Sequence, residues 1–425
     1  MTDAIDRRLM LMGGAVAGLA MGGKAVAQRL PPPSAVDTGR VEGGRVTFPE
    51  WRGEVDPRTA PPPAPLPPER RVGFAVVALG RLTLEELLPA FAECRKAKLV
   101  ALVSGTPDKM RAVAAQYGIA PEHCYDYAGF DRIRDDPAVQ AVYIVLPNGM
   151  HRDYVERAAR AGKHVLCEKP MANSSAEARS MIAACAKANV KLMIAYRIQY
   201  EPYNQQARRF VQEGTFGRLV GATMTNTQTV APNGAEQWRH KKALAGGGTL
   251  PDIGLYLVNT ARFLTGQEPV EVFAHQYSPP GDPRYAEVEE TMAFTMRFPS
   301  EFLAQCLTSY GARDDKAQVL NFARATVQMP GAYRYRGQQM YVAQNAGGMD
   351  ERQQVNIPPK NQFAEEIDHM ADCILADRRP RTPGEEGLQD HVVMEAIYES
   401  AHTGRPVALK RYDGLDVFRG PMPTA

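Results

Sequence analysis

Val72-Gly73-Phe74-Ala75-Val76-Val77-Ala78-Leu79, continued by Gly80-Arg81-Leu82-Thr83, is the stretch that decides the fold. Its first eight residues are almost wholly apolar and rich in Val. Such a run fits a strand buried on both faces, as in a parallel sheet. A helix follows over Glu85–Cys94, so the turn between them occupies the place of a G-x-G-x-x-G/A phosphate-binding fingerprint. Only the middle glycine, Gly80, is kept; Ala78 and Thr83 depart from the pattern. Gly80 lets the backbone approach a pyrophosphate at the helix N-terminus, beside Arg81 and Leu82.

The alternation continues downstream. Strands are predicted at Leu99–Val103, Val139–Leu146, His164–Cys167 and Lys191–Ile194, with helices at Pro107–Tyr117, His151–Ala161 and Ala176–Ala188. Strands and helices in this order predict a doubly wound parallel sheet over residues 71–194. From Ala195 the pattern changes. Val220–Thr229, Val270–Tyr277, Thr291–Phe298, Phe302–Tyr310, Ala325–Gln328 and Met340–Ala343 read as strands. Pro202–Glu213, Ile253–Leu264, Asn361–Ala376 and Glu385–Thr403 read as helices. This predicts an α+β half over 195–425, with a largely antiparallel, open-faced sheet.

Chemistry concentrates at the carboxyl ends of the parallel strands, where ligands bind in such sheets. The second strand ends in Ser104-Gly105-Thr106-Pro107-Asp108-Lys109. An acidic residue there would bind a ribose 2′-hydroxyl; Ser104 and Lys109 instead suit a 2′-phosphate, which favours NADP. Lys109 also reads as a solvated helix charge. The third strand ends in Leu146-Pro147-Asn148, where Asn148 reads equally as a helix cap or a cofactor contact. Lys169 follows the fourth strand directly. Further on, Gly246-Gly247-Gly248 precedes Asp252 and Tyr256, which lie four apart and share one helix face. Lys169, Asp252 and Tyr256 form a proton-transfer set suited to hydride chemistry on an alcohol or carbonyl. The plainer readings are an N-cap for Asp252 and a core aromatic for Tyr256.

These stretches resemble the glucose–fructose oxidoreductase and inositol dehydrogenase family. The likeness is carried by Ser104-Gly105, Ala141–Asn148, Gly162–Met171 with its Cys167-Glu168-Lys169-Pro170, Lys191–Arg197, Trp238-Arg239, Leu244–Gly248, Asp252–Tyr256 and Asn361-Gln362-Phe363. It spans about residues 70 to 408. The resemblance implies a Rossmann dinucleotide-binding domain and a second, substrate-binding and oligomerisation domain. It implies catalytic roles for Lys169, Asp252 and Tyr256. Pro147, Asn148, His151, Glu168, Lys169, Arg197, Trp238 and Arg239 would then contact cofactor, alongside Gly80, Arg81, Leu82, Ser104 and Lys109. It also implies a tightly bound NADP(H): one aldose is oxidised to its lactone, and a second carbonyl sugar is reduced by the same cofactor. Tyr256 would be the base, with Lys169 favouring its phenolate or relaying the proton. Many members of the wider family have His at that position. The competing readings are a dehydrogenase that exchanges cofactor with solution, and a sugar-binding relative without turnover.

Composition bounds the rest. The chain has 425 residues with Lys+Arg 50 against Asp+Glu 48, a balance that argues against an electrostatic nucleic-acid binder. No apolar run reaches the roughly 18 residues that span a bilayer. Asp6-Arg7-Arg8, an apolar Gly/Ala-rich run and Ala25-Val26-Ala27 read as a signal peptide over 1–27 of the twin-arginine type, which implies a periplasmic protein. Residues 28–70 are Pro-rich and read as a polyproline arm, either a spacer or a cover for the adenine site of its own or a neighbouring subunit. The open sheet is the expected surface of a homo-oligomer, a dimer or tetramer. The six cysteines show neither CxxC pairs nor zinc spacing, so free thiols and no metal are expected.

Overall fold

The computed structural model describes residues 40–43, 45–47, 64–230 and 234–422. The signal-peptide reading of 1–27 and most of the arm lie outside the described residues. Within the arm, β1 (Arg40–Glu42) and β2 (Arg45–Thr47) pair antiparallel, Val41 opposite Val46. That corrects the all-polyproline reading: Arg40-Val41-Glu42-Gly43 and Arg45-Val46-Thr47 contain no proline, so both backbones can pair.

The main body begins with β3 (Val72–Val77), α1 (Leu88–Glu93, entered through a π-turn at Thr83–Leu87), β4 (Ala97–Val103) and α2 (Pro107–Tyr117). Then come β5 (Cys124–Tyr125), β6 (Ala141–Ile144), α3 (His151–Arg160), β7 (His164–Glu168), α4 (Ser175–Lys187) and β8 (Leu192–Ala195). These strands form one six-stranded sheet in the order β5-β4-β3-β6-β7-β8, every pair parallel. All six residues of β3 are buried, as its continuous apolar run requires. Chain order reverses at β3, between β4 and β6, and that places a ligand crevice at its carboxyl end.

The second half contains α5 (Pro202–Gln212), β9 (Leu219–Thr227), α6 (Lys242–Ala245), α7 (Leu255–Thr265, entered through a π-turn at Leu250–Gly254) and β10 (Glu271–Tyr277). It continues with β11 (Thr291–Arg297), β12 (Leu303–Ser309), β13 (Asp315–Phe322), β14 (Ala325–Met329), β15 (Met340–Ala346) and β16 (Met349–Val355). The last elements are α8 (Gln362–Leu375), α9 (Gly384–Thr403) and β17 (Val407–Ala408). Nine strands form one sheet in the order β16-β15-β14-β13-β9-β12-β11-β10-β17, antiparallel except for β9 beside β12. Burial alternates along β11 and β12, so one face is core and the other open.

Two elements cross the boundary drawn at residue 194. Helix α8 lays Phe363, Ile367, Met370 and Ala371 against Val72, Phe74 and Val76 of the parallel sheet. The Ile194 amide donates to the Thr382 carbonyl at 2.7 Å, tying β8 to the chain before α9. A parallel sheet needs both faces covered, and here the chain's last third supplies part of that cover.

At the first turn, Ala78 has φ +80°, in the left-handed region where the fingerprint has glycine. A side chain there costs about 1 kcal/mol. Ala78→Gly is therefore expected to raise the unfolding free energy by about 1 kcal/mol. Chemical denaturation checks this; a drop would mean the methyl packs well enough to outweigh the strain.

Candidate active site

Lys169 is carried one residue past β7, at the carboxyl edge of the parallel sheet, as its place in the sequence requires. Its Nζ donates to the Asp252 carbonyl oxygen at 2.6 Å and to Asp252 Oδ1 at 3.2 Å. Asp252 is inside the π-turn leading into α7, with no cap bond from its side chain, so the N-cap reading falls away. Its Oδ2 accepts from Arg239 Nε at 3.2 Å and from the Tyr310 hydroxyl at 2.6 Å. Burial works against the charge, yet Lys169, Arg239 and the Tyr310 bond together hold the carboxyl well below the usual carboxylate range. Asp252 is thus a fixed anion between two cations and not a free base.

Tyr256 follows on α7 and is 8% exposed. Lys169 Nζ sits 4.9 Å from its ring centroid, over the face of the ring. The group at the phenol oxygen is Arg197, whose Nε donates to it at 3.1 Å. The guanidinium also stacks 4.7 Å from the Tyr256 ring. Of the two roles expected of Lys169, favouring the phenolate or relaying the proton, this geometry suits the first: Lys169 acts on the ring and Arg197 on the oxygen. Burial pushes the Lys169 ammonium down, but Tyr256, Asp252 and Glu168 outweigh it and its pKa is raised. Lys169 keeps its charge throughout the neutral range.

Arg197 itself is held by three acceptors besides Tyr256. It donates to Gln362 Oε1 at 2.7 Å, the Tyr333 carbonyl at 2.7 Å and the Arg334 carbonyl at 3.2 Å. Tyr310, Tyr333, Tyr335 and Gln362 were not assigned roles from sequence. Only Gln362, inside the Asn361-Gln362-Phe363 stretch, carried any signal.

The remaining predicted residues divide. Gly80 and Arg81 are exposed and Leu82 half-buried at the start of the first helix, and a Cβ at Gly80 would meet no atom within 4 Å. The first N–H groups of that helix lack intrahelical acceptors. Ser104 directly follows β4 and Lys109 is exposed on the first turn of α2, but Ser104 is 2% exposed and its Oγ accepts from Thr106 N at 3.2 Å. The open turn at Gly80 suits a dinucleotide pyrophosphate, whereas the Ser104 hydroxyl is turned into its own loop and only Lys109 of the pair is exposed. Half-buried Pro147 stands three residues past β6. Asn148 does not cap α3; its Nδ2 donates to the Ala245 carbonyl at 2.8 Å. His151 is fully buried between the Leu146 and Pro170 carbonyls, at 2.8 and 3.0 Å, so it braces the strand end instead of facing a ligand. Glu168 accepts from the Tyr143 hydroxyl at 2.7 Å, and burial raises its pKa. Trp238 is half-buried, with Arg239 stacked 4.5 Å from it. The glycine run packs against protein: a Cβ at Gly248 would stand 2.0 Å from the Glu289 carbonyl oxygen.

Residues 72–196 match an oxidoreductase family with an NAD-binding Rossmann fold, 204–328 a GFO/IDH/MocA C-terminal domain, and 324–409 an oxidoreductase C-terminal alpha/beta domain. The D-xylose 1-dehydrogenase [NADP(+)] of Haloarcula marismortui is 32% identical over 342 residues, covering 80% of this chain and 93% of that protein. The 1,5-anhydro-D-fructose reductase of Ensifer adhaerens is 26% identical, over 74% of this chain and 91% of that one. The crystal structure of aldose–aldose oxidoreductase from Caulobacter crescentus, complexed with glycerol, superposes with a TM-score of 0.77 at 44% identity. That match covers 80% of this chain and all of the other.

Proposed function

The chain belongs to the GFO/IDH/MocA oxidoreductases, a family of NAD(P)-dependent sugar enzymes, and from that membership we propose that it retains NADP(H) while turning over two sugars in succession. It oxidises an aldose to its lactone and then reduces a second carbonyl sugar, ketose or aldose, to a sugar alcohol. The observation that carries the reading is the Tyr256 phenol, with Arg197 on its oxygen and Lys169 over its ring. The 44% identity to an aldose–aldose oxidoreductase supports the two-sugar cycle. Lys109, exposed on the first turn of α2, supports NADP.

Bound nicotinamide supplies the hydride acceptor and, in the return half, the donor. The protein handles the proton. Tyr256 takes the C1 hydroxyl proton of the aldose and returns it to the carbonyl oxygen of the second sugar. Negative charge on the phenol oxygen meets the Arg197 guanidinium, already in contact and needing no reorganisation. Lys169 adds a second positive charge at the ring face, held in place by Asp252. Arg239 and Tyr310 fix Asp252 in turn.

Twin-arginine export to the periplasm and a homo-oligomeric state belong to the same proposal. Export rests on the Arg7-Arg8 pair and Ala25-Val26-Ala27; it suits an enzyme that acquires cofactor before leaving the cytosol. Oligomerisation rests on the open sheet face, where Val220, Leu303 and Leu307 are exposed. Among the described residues no helix is long and apolar enough to cross a membrane. The test is turnover of purified protein on glucose plus fructose with no cofactor added. Lactone and sugar alcohol in equal amounts are expected. Turnover only after NADP is supplied, with one sugar oxidised, would replace this reading by an exchanging dehydrogenase.

A further inference from the structure

The β14–β15 connection carries a group that the reaction just described does not use. Its backbone is tied down from beneath. Arg197 donates to the Tyr333 and Arg334 carbonyls, and Gln362 Nε2 donates to those of Arg334 and Tyr335 at 3.0 and 2.8 Å. Tyr335 is thereby placed with its ring 4.5 Å from the Arg197 guanidinium and edge-on to Phe363 at 5.2 Å. Tyr256, Arg197 and Lys169 are all within electrostatic reach of its phenol, and so is Arg239. Yet Tyr335 is 43% exposed, whereas Tyr256 is 8% exposed and Arg197 is buried. An open aromatic side chain thus stacks on the buried guanidinium that holds the Tyr256 oxygen.

The next residue ties the same loop to the nucleotide-binding half. Arg336 Nη1 and Nη2 donate to Glu86 Oε1 and Oε2 at 3.1 and 2.8 Å. Glu86 belongs to the π-turn that follows Gly80. The loop is therefore fixed at Arg197 on one side and across the crevice on the other, with Tyr335 between the two ties.

We propose that Tyr335 is a substrate-contacting residue that sets sugar affinity, and that the Arg336–Glu86 pair positions it. This rests on the sugar-oxidoreductase reading above. A pyranose presents one face of C–H groups, and such a face packs on an aromatic ring, whereas its hydroxyls need hydrogen-bonding groups. Arg197 covers part of the Tyr335 ring and leaves the rest exposed to a ligand.

The experiment is steady-state kinetics of cofactor-loaded protein on aldoses, with NADP affinity measured separately by fluorescence. Tyr335→Ala is expected to raise KM for the aldose about tenfold, the scale of an aromatic contact, with kcat within about threefold. Tyr335→Phe keeps the ring and is expected to stay within about twofold of wild type in KM. Arg336→Ala is expected to raise KM about threefold, as loss of a half-exposed ion pair allows, and it carries the test if Tyr335→Ala does not fold. A KM unchanged in Tyr335→Ala overturns the proposal. A loss confined to NADP affinity also overturns it, making Tyr335 a wall of the nicotinamide site. Failure of the wild-type protein to turn over any sugar sinks the functional reading first, and the proposal with it; wild-type turnover with an indifferent Tyr335→Ala sinks the proposal alone.

Discussion

Tyr256→Phe is expected to lower turnover about a thousandfold while leaving NADP affinity within about twofold, because it removes a proton donor and acceptor and nothing else of size. The Phe ring fills the same space, keeps Lys169 over its face at 4.9 Å and Arg197 stacked at 4.7 Å, and still packs near Tyr333 at 6.3 Å. What disappears is the oxygen that accepts from Arg197 Nε. Arg197 keeps its bonds to Gln362 and to the two loop carbonyls, so its position holds and the fold loses about 1 kcal/mol. Single-turnover rates of hydride transfer isolate the step from sugar binding and product release. A drop of less than tenfold would remove Tyr256 from the base role. Lys169→Ala discriminates further: it should slow hydride transfer more than it weakens cofactor binding, and the reverse would make Lys169 a cofactor anchor.

The parallel half was legible because each strand is a short apolar run bounded by a helix pattern, and pairing within such a sheet follows from burial on both faces. The second sheet was legible only where strands are apolar on alternate positions. Asp315–Phe322 carries a weak signal because it opens on Asp315 and Lys316 and one of its three buried residues, Gln318, is polar, the others being Leu320 and Phe322. Met349–Val355 is an edge strand of mostly exposed polar residues in which only Val355 reaches the core, too little for a burial pattern. In the site, Lys169, Asp252 and Tyr256 could be singled out because each sits in a distinctive short motif. The role of Arg197 could not, since its contact with Tyr256 spans 59 residues and depends on how β8 and α7 meet. Tyr335 lies in a loop with no pattern of its own. His151 shows the opposite failure: the family resemblance implies a cofactor contact there, while its burial between two carbonyls assigns it to packing.

Asp252→Asn carries the second large effect, in stability and in pH dependence together. The wild-type carboxylate separates Lys169 from Arg239 and accepts from both, and from Tyr310. Removing its charge leaves two cations facing each other in a largely buried cluster, at a cost of about 3 kcal/mol at neutral pH. The direction with pH follows from the depressed pKa. The carboxyl stays ionised further into acid in the folded protein than in the unfolded chain, where it titrates near 3.9. Its stabilisation is thus fully present above about pH 4 and is lost as pH falls through the lower folded value. Urea midpoints of wild type and Asp252→Asn should therefore lie far apart at pH 7 and converge towards pH 2. A separation that stayed constant with pH would mean the loss comes from packing and not from the charge. Catalysis should respond at the other end of the scale. Asp252 is one of the groups that raise the Lys169 pKa. Without it the ammonium loses its proton at lower pH, so the alkaline limb of kcat should move towards neutrality in the variant. An alkaline limb at the wild-type position, with kcat merely scaled down, would show that Asp252 orients Lys169 without sustaining its charge.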